Sequence, residues 1–195
     1  LDKLEIVGEK ILRASLTDGS DINVDFVIVG IGITPNTDLA EGANLKINNG
    51  ILINEKCQTS VSNIYAAGDC TSFKYKNTLV RLESVGNAID QATTVAQNIM
   101  KKNTNYIPKP WFWSDQYDLK LQIAGLNTGY DEVVVRKGES KQVSHWYYKG
   151  QYLIAIDALN DPRCYMIGKR LIEANKSPSK NQLRDENFNL KVLLK

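Results

Sequence analysis

The sequence predicts an α/β segment in the first half of the chain and an α+β domain in the second. Three observations carry this. Two apolar runs, residues 25–29 and 64–67, read as buried strands, and each stops at glycine, in Gly30-Ile31-Gly32 and in Gly68-Asp69. A stretch with the 3.6-residue period of a helix opens at Ser84 and closes at Lys101-Lys102. Beyond it, four alternating runs between Leu119 and Ala158 precede one more helical pattern, so strands come first and a helix after, the order of an α+β domain.

Residues 11–16 and 22–23 flank Thr17-Asp18-Gly19-Ser20, and Asp-Gly is a strong hairpin signal, so a hairpin stands near the start. The strand 25–29 runs into Gly30-Ile31-Gly32-Ile33-Thr34-Pro35-Asn36. Two glycines at a strand's carboxyl end let a flat ligand lie on bare backbone, or simply serve a tight turn; Pro35 drives Thr34 out of helical geometry. Residues 37–40 leave room for one helical turn and 50–54 for a short strand. The stretch 59–70, Thr-Ser-Val-Ser-Asn-Ile-Tyr-Ala-Ala-Gly-Asp-Cys, then reads as a polar turn, the strand 64–67, a glycine and an aspartate. Gly68 lets backbone approach a ligand closely, and Asp69 supplies an acceptor for hydroxyl groups.

A polar loop, 71–78, leads to the helix. Ser84 is a good N-cap and Lys101-Lys102 suit the negative end. Val85, Ala88, Ile89, Ala92, Val95, Ala96, Ile99 and Met100 keep helical spacing and predict the face that packs on a core. Residues 103–110, with two prolines, read as a linker. Trp111-Phe112-Trp113-Ser114-Asp115-Gln116-Tyr117 then gathers four aromatics, a pattern that serves a hydrophobic core as readily as a planar binding surface. Strands follow at 119–124, 132–136, 142–148 and 152–158, punctuated by glycines. Asp161 caps a helix with Pro162 at its first position, running to about residue 174, and a basic, polar stretch leads to a short final helix or arm.

Composition narrows the function. Of 195 residues 43% are apolar, enough for a real core. The net charge is +2 with both signs interspersed, and basic runs stop at pairs, which argues against nucleic acid as a partner. No apolar stretch approaches the roughly 20 residues of a spanning helix, so no membrane partner is expected. Cys57, Cys70 and Cys164 are an odd number with no C-x-x-C pair, which suits a reducing compartment, with the cytoplasm as the expected location. A single histidine, His145, leaves nothing on which to build a zinc site or a His-based triad, and it reads as an ordinary strand residue.

The string T-x-x-x-x-I-Y-A-A-G-D at 59–69, with V-G-I-G-I-T-P-N upstream and P-W-F-W-S-D-Q-Y downstream, resembles the FAD-dependent pyridine-nucleotide reductases. Within them it is most similar to the ferredoxin reductases that serve bacterial oxygenases and cytochromes, a branch that also holds apoptosis-inducing-factor-like flavoproteins. The resemblance runs from about Leu4 to the C-terminus and covers the latter half of such a protein. Both G-x-G-x-x-G fingerprints of family members are missing from these residues, so a C-terminal fragment is expected. The fold implied is partial Rossmann-like FAD- and NAD(P)-binding lobes followed by a C-terminal α+β reductase domain. Residues 1–35 would close the NAD(P) lobe, 36–105 would form the second part of the FAD lobe, and 106–195 the C-terminal domain.

The resemblance also implies a chemistry. FAD and NAD(P)H are the cofactors, and electrons pass from NADH through the flavin to a two-iron ferredoxin or a rubredoxin. Asp69 would accept from the ribityl chain of FAD. The first-turn amides at Ser84 and Val85 would face the pyrimidine edge of the flavin, where a helix N-terminus favours the negative charge gained on reduction. Trp113 would lie near the flavin ring, with Trp111 closer to the docking face of the iron–sulfur partner. Gly32 and Glu83 would stand at the nicotinamide, Glu83 being equally open to a role as a surface carboxylate or as the ion-pair partner of Arg81. No side chain is required as an acid or base. Two other readings stand beside this one. The parent could be an apoptosis-inducing-factor-like or monodehydroascorbate-type reductase. Alternatively, the chain alone could be an inactive folding or dimerisation module, with weak or absent FAD binding and exposed strand edges that leave a homodimer open.

Overall fold

The computed structural model describes residues 1–194, which divide into two units, Leu1–Thr34 and the remainder from Pro35 onward. In the first unit β1 (Lys3–Val7), β2 (Lys10–Ser15) and β3 (Asp21–Asn23) form an antiparallel sheet in the order β1-β2-β3. The Asp18-Gly19 turn forms as the sequence predicts: Asp18 Oδ1 accepts from the Ser20 amide at 2.9 Å, and Gly19 takes φ +84°. Arg13 ties the sheet across its face, pairing with Glu5 at 2.5 Å and Asp21 at 3.0 Å. The buried strand expected at 25–29 does not form. That segment is unpaired, with Phe26 73% and Ile28 86% exposed. An apolar run specifies a buried strand only where neighbours supply ladder hydrogen bonds and cover both faces, and none of the described strands pairs with it.

The second unit begins with α1 (Asp38–Gly42) and β4 (Ile51–Leu52). The expected strand 64–67 is reduced to one bridge, Gln58 with Tyr65, and the expected polar loop 71–78 is instead a hairpin, β5 (Thr71–Tyr75) and β6 (Thr78–Val80). β4 runs parallel to β5, giving a small sheet in the order β4-β5-β6. Polarity misled here: Thr71 and Ser72 are buried because their hydroxyls are used internally, Thr71 Oγ1 on Gly68 O at 2.8 Å and Ser72 Oγ on Asn49 O at 2.5 Å.

α2 (Val85–Ile99) starts at Ser84 as predicted, but its buried face is not the predicted one. Asn87, Gln91, Thr94 and Asn98 are buried, whereas Val85, Ile89, Ile99 and Met100 are 57–63% exposed. Each buried polar side chain is engaged: Tyr106 Oη donates to Asn87 Oδ1 at 2.6 Å, Thr94 Oγ1 donates to Asp90 O at 2.9 Å, and Asn98 Nδ2 donates to Lys56 O and Thr104 O at 3.0 and 2.8 Å. The expected linker 103–110 is therefore docked, with Tyr106 buried edge-on against Phe73 in a cluster that also holds Ile53 and Cys57.

The remaining strands match the sequence reading at 119–124, 132–136, 142–148 and 152–158, and the aromatic run from Trp111 adds one that the sequence did not announce. β7 (Trp111–Gln116), β8 (Leu119–Gly125), β9 (Glu132–Lys137), β10 (Val143–Lys149) and β11 (Tyr152–Leu159) form one antiparallel sheet in the order β7-β8-β11-β10-β9. Alternation sets its faces: Ser144, Trp146 and Tyr148 of β10 are buried. Onto them packs α3 (Pro162–Glu173), capped by Asp161 Oδ1 accepting from the Cys164 amide at 2.9 Å. Cys164 is buried in this core, and burial pushes its thiol up to about 12. α4 (Lys180–Arg184) and a 3-10 turn (Leu190–Leu194) close the chain. The buried guanidinium of Arg136 holds them by donating to the carbonyls of Leu183, Asp185, Glu186 and Phe188.

Candidate functional site

The site is built on the tight turn that carries Asp69. Gly68 takes φ +90°, a conformation side chains disfavour, and its carbonyl closes the turn by accepting from the Thr71 amide at 3.0 Å. Asp69 is exposed at the tip. Beneath it Arg81, with its side chain only 9% exposed, donates from Nη1 to Asp69 O at 3.3 Å and pairs with Glu83 Oε1 at 2.5 Å. Gly50 makes this approach possible: at φ +125°, a Cβ there would stand 2.8 Å from Cys70 O and 3.2 Å from Arg81 Cδ. Of the three uses the sequence left open for Glu83, the ion pair with Arg81 is present. The carboxylate stays partly exposed.

The first turn of α2 stands beside that turn. Ser84 is extended, and its Oγ accepts from the Asn87 amide at 3.3 Å. Asn87 Nδ2 reaches back to Leu82 O at 3.0 Å, which with the Tyr106 bond fixes the entry of the chain into the helix. The amides of Val85 and Gly86 precede any intrahelical acceptor and stand at the positive end of the helix dipole. The turn and the helix are joined by Gln91: its Oε1 accepts from the Gly68 amide at 2.7 Å and lies 2.9 Å from Thr71 Oγ1.

The aromatic strand completes this end of the unit. Trp111 and Trp113, two apart on β7, lie on one face with their indoles stacked at 5.3 Å and 21°. Trp111 packs against the first turn of α2 so closely that a Cβ on Gly86 would meet its Nε1 at 2.4 Å. Lys169 Nζ sits 4.9 Å from the centre of the Trp111 ring. Trp113, 40% exposed, presents a planar surface outward. An open cleft of about 230 Å³ joins Glu83 and Ser84 to Trp111, Phe112 and Ile123.

Asp69, Glu83, Ser84, Val85 and Trp113 thus gather around one helix end in the second unit. Gly32 belongs to the first unit, where it is exposed at φ +115° with open space around its Cα. What the gathered groups offer is an acceptor for hydroxyls, amide donors under a positive dipole end, and a flat apolar surface. They suit a ligand with a polyol and a flat ring that gains negative charge. The buried Gln91 adds a further sign: its Nε2 is enclosed with no hydrogen-bond partner among the described residues. Its oxygen is fixed by the Gly68 amide, so that nitrogen is a donor awaiting an acceptor. Among the described residues no group of three His, Cys, Asp or Glu side chains could hold a metal ion. Nor is any described helix long and apolar enough to cross a membrane. Sequence reasoning missed Gln91 and Gly86. A signal for Gln91 was available, since Asn87, Gln91, Thr94 and Asn98 form an uncharged amide and hydroxyl stripe at helical spacing.

Comparison with known proteins matches both halves of the chain. Residues 3–92 match the model of the pyridine nucleotide-disulphide oxidoreductase family and residues 111–194 that of the reductase C-terminal domain. Rhodocoxin reductase of Rhodococcus erythropolis is 40% identical over 90% of this chain and 42% of its own length. Putidaredoxin reductase of Pseudomonas putida is 38% identical over 95% and 45%. Among solved structures, a ferredoxin reductase from Rhodopseudomonas palustris superposes with a TM-score of 0.88 at 36% identity, covering 97% of this chain and 48% of the other. The putidaredoxin reductase of a covalent complex with putidaredoxin gives 0.88 at 37%, covering 98% and 47%. The chain spans less than half the length of these relatives.

Proposed function

The chain belongs to the pyridine nucleotide-disulphide oxidoreductase family and carries its reductase C-terminal domain, and from that premise we propose that it serves within an FAD-dependent NAD(P)H:ferredoxin reductase. In this reading residues 1–35 finish the nicotinamide lobe, 36–105 form the second part of the FAD lobe and 106–195 the C-terminal domain. Electrons enter from NADH and leave to a small iron–sulfur protein, a two-iron ferredoxin or a rubredoxin, that supplies an oxygenase or cytochrome. The observation that carries the proposal is the junction of the Asp69 turn with the first turn of α2 through Gln91 and Arg81.

Bound FAD supplies the chemistry, taking a hydride equivalent and releasing electrons singly. The residues of this chain bind and orient it. Asp69 accepts from ribityl hydroxyls, and the amides at the start of α2, behind Ser84 and Val85, meet the ring's polar edge and favour its reduced, more negative form. Trp113 covers the ring region and excludes water. Glu83, held by its ion pair with Arg81, is the contact that the second unit offers the nicotinamide. The free thiols Cys57, Cys70 and Cys164 suit the cytoplasm.

The test is spectroscopic. The full-length reductase carrying this segment should show flavin bands that NADH bleaches anaerobically and that an oxidised two-iron ferredoxin or rubredoxin restores. The 195-residue chain alone should retain no flavin. Bands that NADH leaves unchanged, or that only a monodehydroascorbate radical restores, would overturn the assignment.

A further inference from the structure

We propose that Gln91 is a positioning residue for the flavin site: it sets the place of Asp69 relative to the first turn of α2, so that polyol and ring are gripped in register. The inference rests on the reading of Asp69 and the start of α2 as FAD contacts. Gln91 is fully buried one turn and a half below Gly86, on the face of the helix that meets the Gly68 turn. Its Oε1 takes the Gly68 amide at 2.7 Å, the residue immediately before Asp69. Thr71 Oγ1 lies 2.8 Å from Gly68 O and 2.9 Å from Gln91 Oε1, and its single proton is shared between them. The turn is thereby bonded to one side chain of α2 from both its ends. Ala88 supplies the remaining contact, 3.6 Å from where a Gly68 Cβ would stand.

A purely structural bond would leave Gln91 satisfied, yet Nε2 is buried without a partner among the described residues. An enclosed orphan donor is costly, so the place of the oxygen on the Gly68 amide is kept at the expense of the nitrogen. Gln91 thus acts through its oxygen, which places the turn that carries Asp69.

The experiment uses the full-length holoprotein and measures FAD affinity, the flavin midpoint potential and thermal stability of the apoprotein. Gln91→Leu should weaken FAD binding about tenfold, the loss of two buried bonds, and shift the flavin potential and visible fine structure. Gln91→Glu, which keeps the accepting oxygen, should recover most of that loss. Asp69→Ala should also weaken FAD, and the double variant Asp69→Ala with Gln91→Leu should be no weaker than Asp69→Ala alone, because one acts through the other. Should the Leu variant fail to fold, Thr71→Val decides, with about a threefold loss expected that vanishes in the Asp69→Ala background. Additive losses, or a fall in apoprotein stability with FAD affinity and potential unmoved, would overturn the positioning role. If Asp69→Ala itself leaves FAD affinity unchanged, the reading of the site fails instead.

Discussion

A methyl group at position 86 would stand 2.4 Å from Trp111 Nε1 and 2.8 Å from Cε2. The ring cannot swing away cheaply because it is stacked on Trp113 and covered by Lys169. Gly86→Ala therefore sets two effects against each other. Helix propensity favours alanine by about 1 kcal/mol, while overpacking costs about 1–3 kcal/mol. The second wins, and a net destabilisation on the order of 1 kcal/mol is expected in urea unfolding, together with changed tryptophan fluorescence; unchanged fluorescence and a stabilised protein would contradict the packing. Neither Gly86 nor Gln91 stood out in the sequence, for related reasons. A glycine announces itself where φ is positive, as at Gly19 and Gly68, but Gly86 is needed for what lies beside it. Gln91 has its meaning only once the Gly68 amide is folded against it. Asp69 and Ser84 were legible because their roles are local: a turn tip and an N-cap.

At the scale of elements, α2 separates two questions that periodicity merges. The 3.6-residue repeat correctly gave a helix and its start, but it could not say what each face meets. Ile89→Lys discriminates the two outcomes. A core isoleucine would cost about 2–5 kcal/mol on truncation; at 59% exposure the expected change in the 195-residue chain is within about 0.5 kcal/mol. Chemical denaturation at neutral pH measures it. The C-terminal domain was read nearly whole because its signals, turn glycines and the Asp161-Pro162 cap, lie within the elements themselves. Its α4 carries a pH dependence. Glu132 on β9 accepts from Lys180 and pairs with Arg184, and the Lys180 hydrogen bond, before the Coulomb attraction of either base, holds its carboxyl below the usual carboxylate range. A lowered folded-state pKa contributes stability above the unfolded value and loses it as pH falls through the folded one. Wild type and Glu132→Gln should thus differ at neutral pH and converge in acid; a difference that persists in acid would rule out the ion pairs as its source.

For the molecule as a whole, the exposed apolar side of α2 and the aromatic β7 at the edge of its sheet are surfaces that water does not favour. The strand anticipated at 25–29 makes the same point from the other direction, since Phe26, Ile28 and Val29 are hydrophobic enough for a core yet stand exposed. Such residues state a preference for burial that a chain under half the length of its relatives does not meet among its described elements. At tens of micromolar the 195-residue chain is expected to sediment above monomer mass, and Ile89→Lys to shift it towards monomer. A monomer at every concentration would show that these faces are not adhesive.

The stacked indoles of Trp111 and Trp113 give the protein an optical signature of its own. Two identical chromophores 5.3 Å apart couple their excited states, and the 21° between their planes, since strictly parallel transitions give no couplet, is what makes an exciton couplet in circular dichroism the expected signal. Because one ring is seated on α2 and both belong to β7, that couplet reports the meeting of helix and sheet directly, apart from the signal of the backbone. Folding at the junction of α2 with β7 can thus be followed with no label.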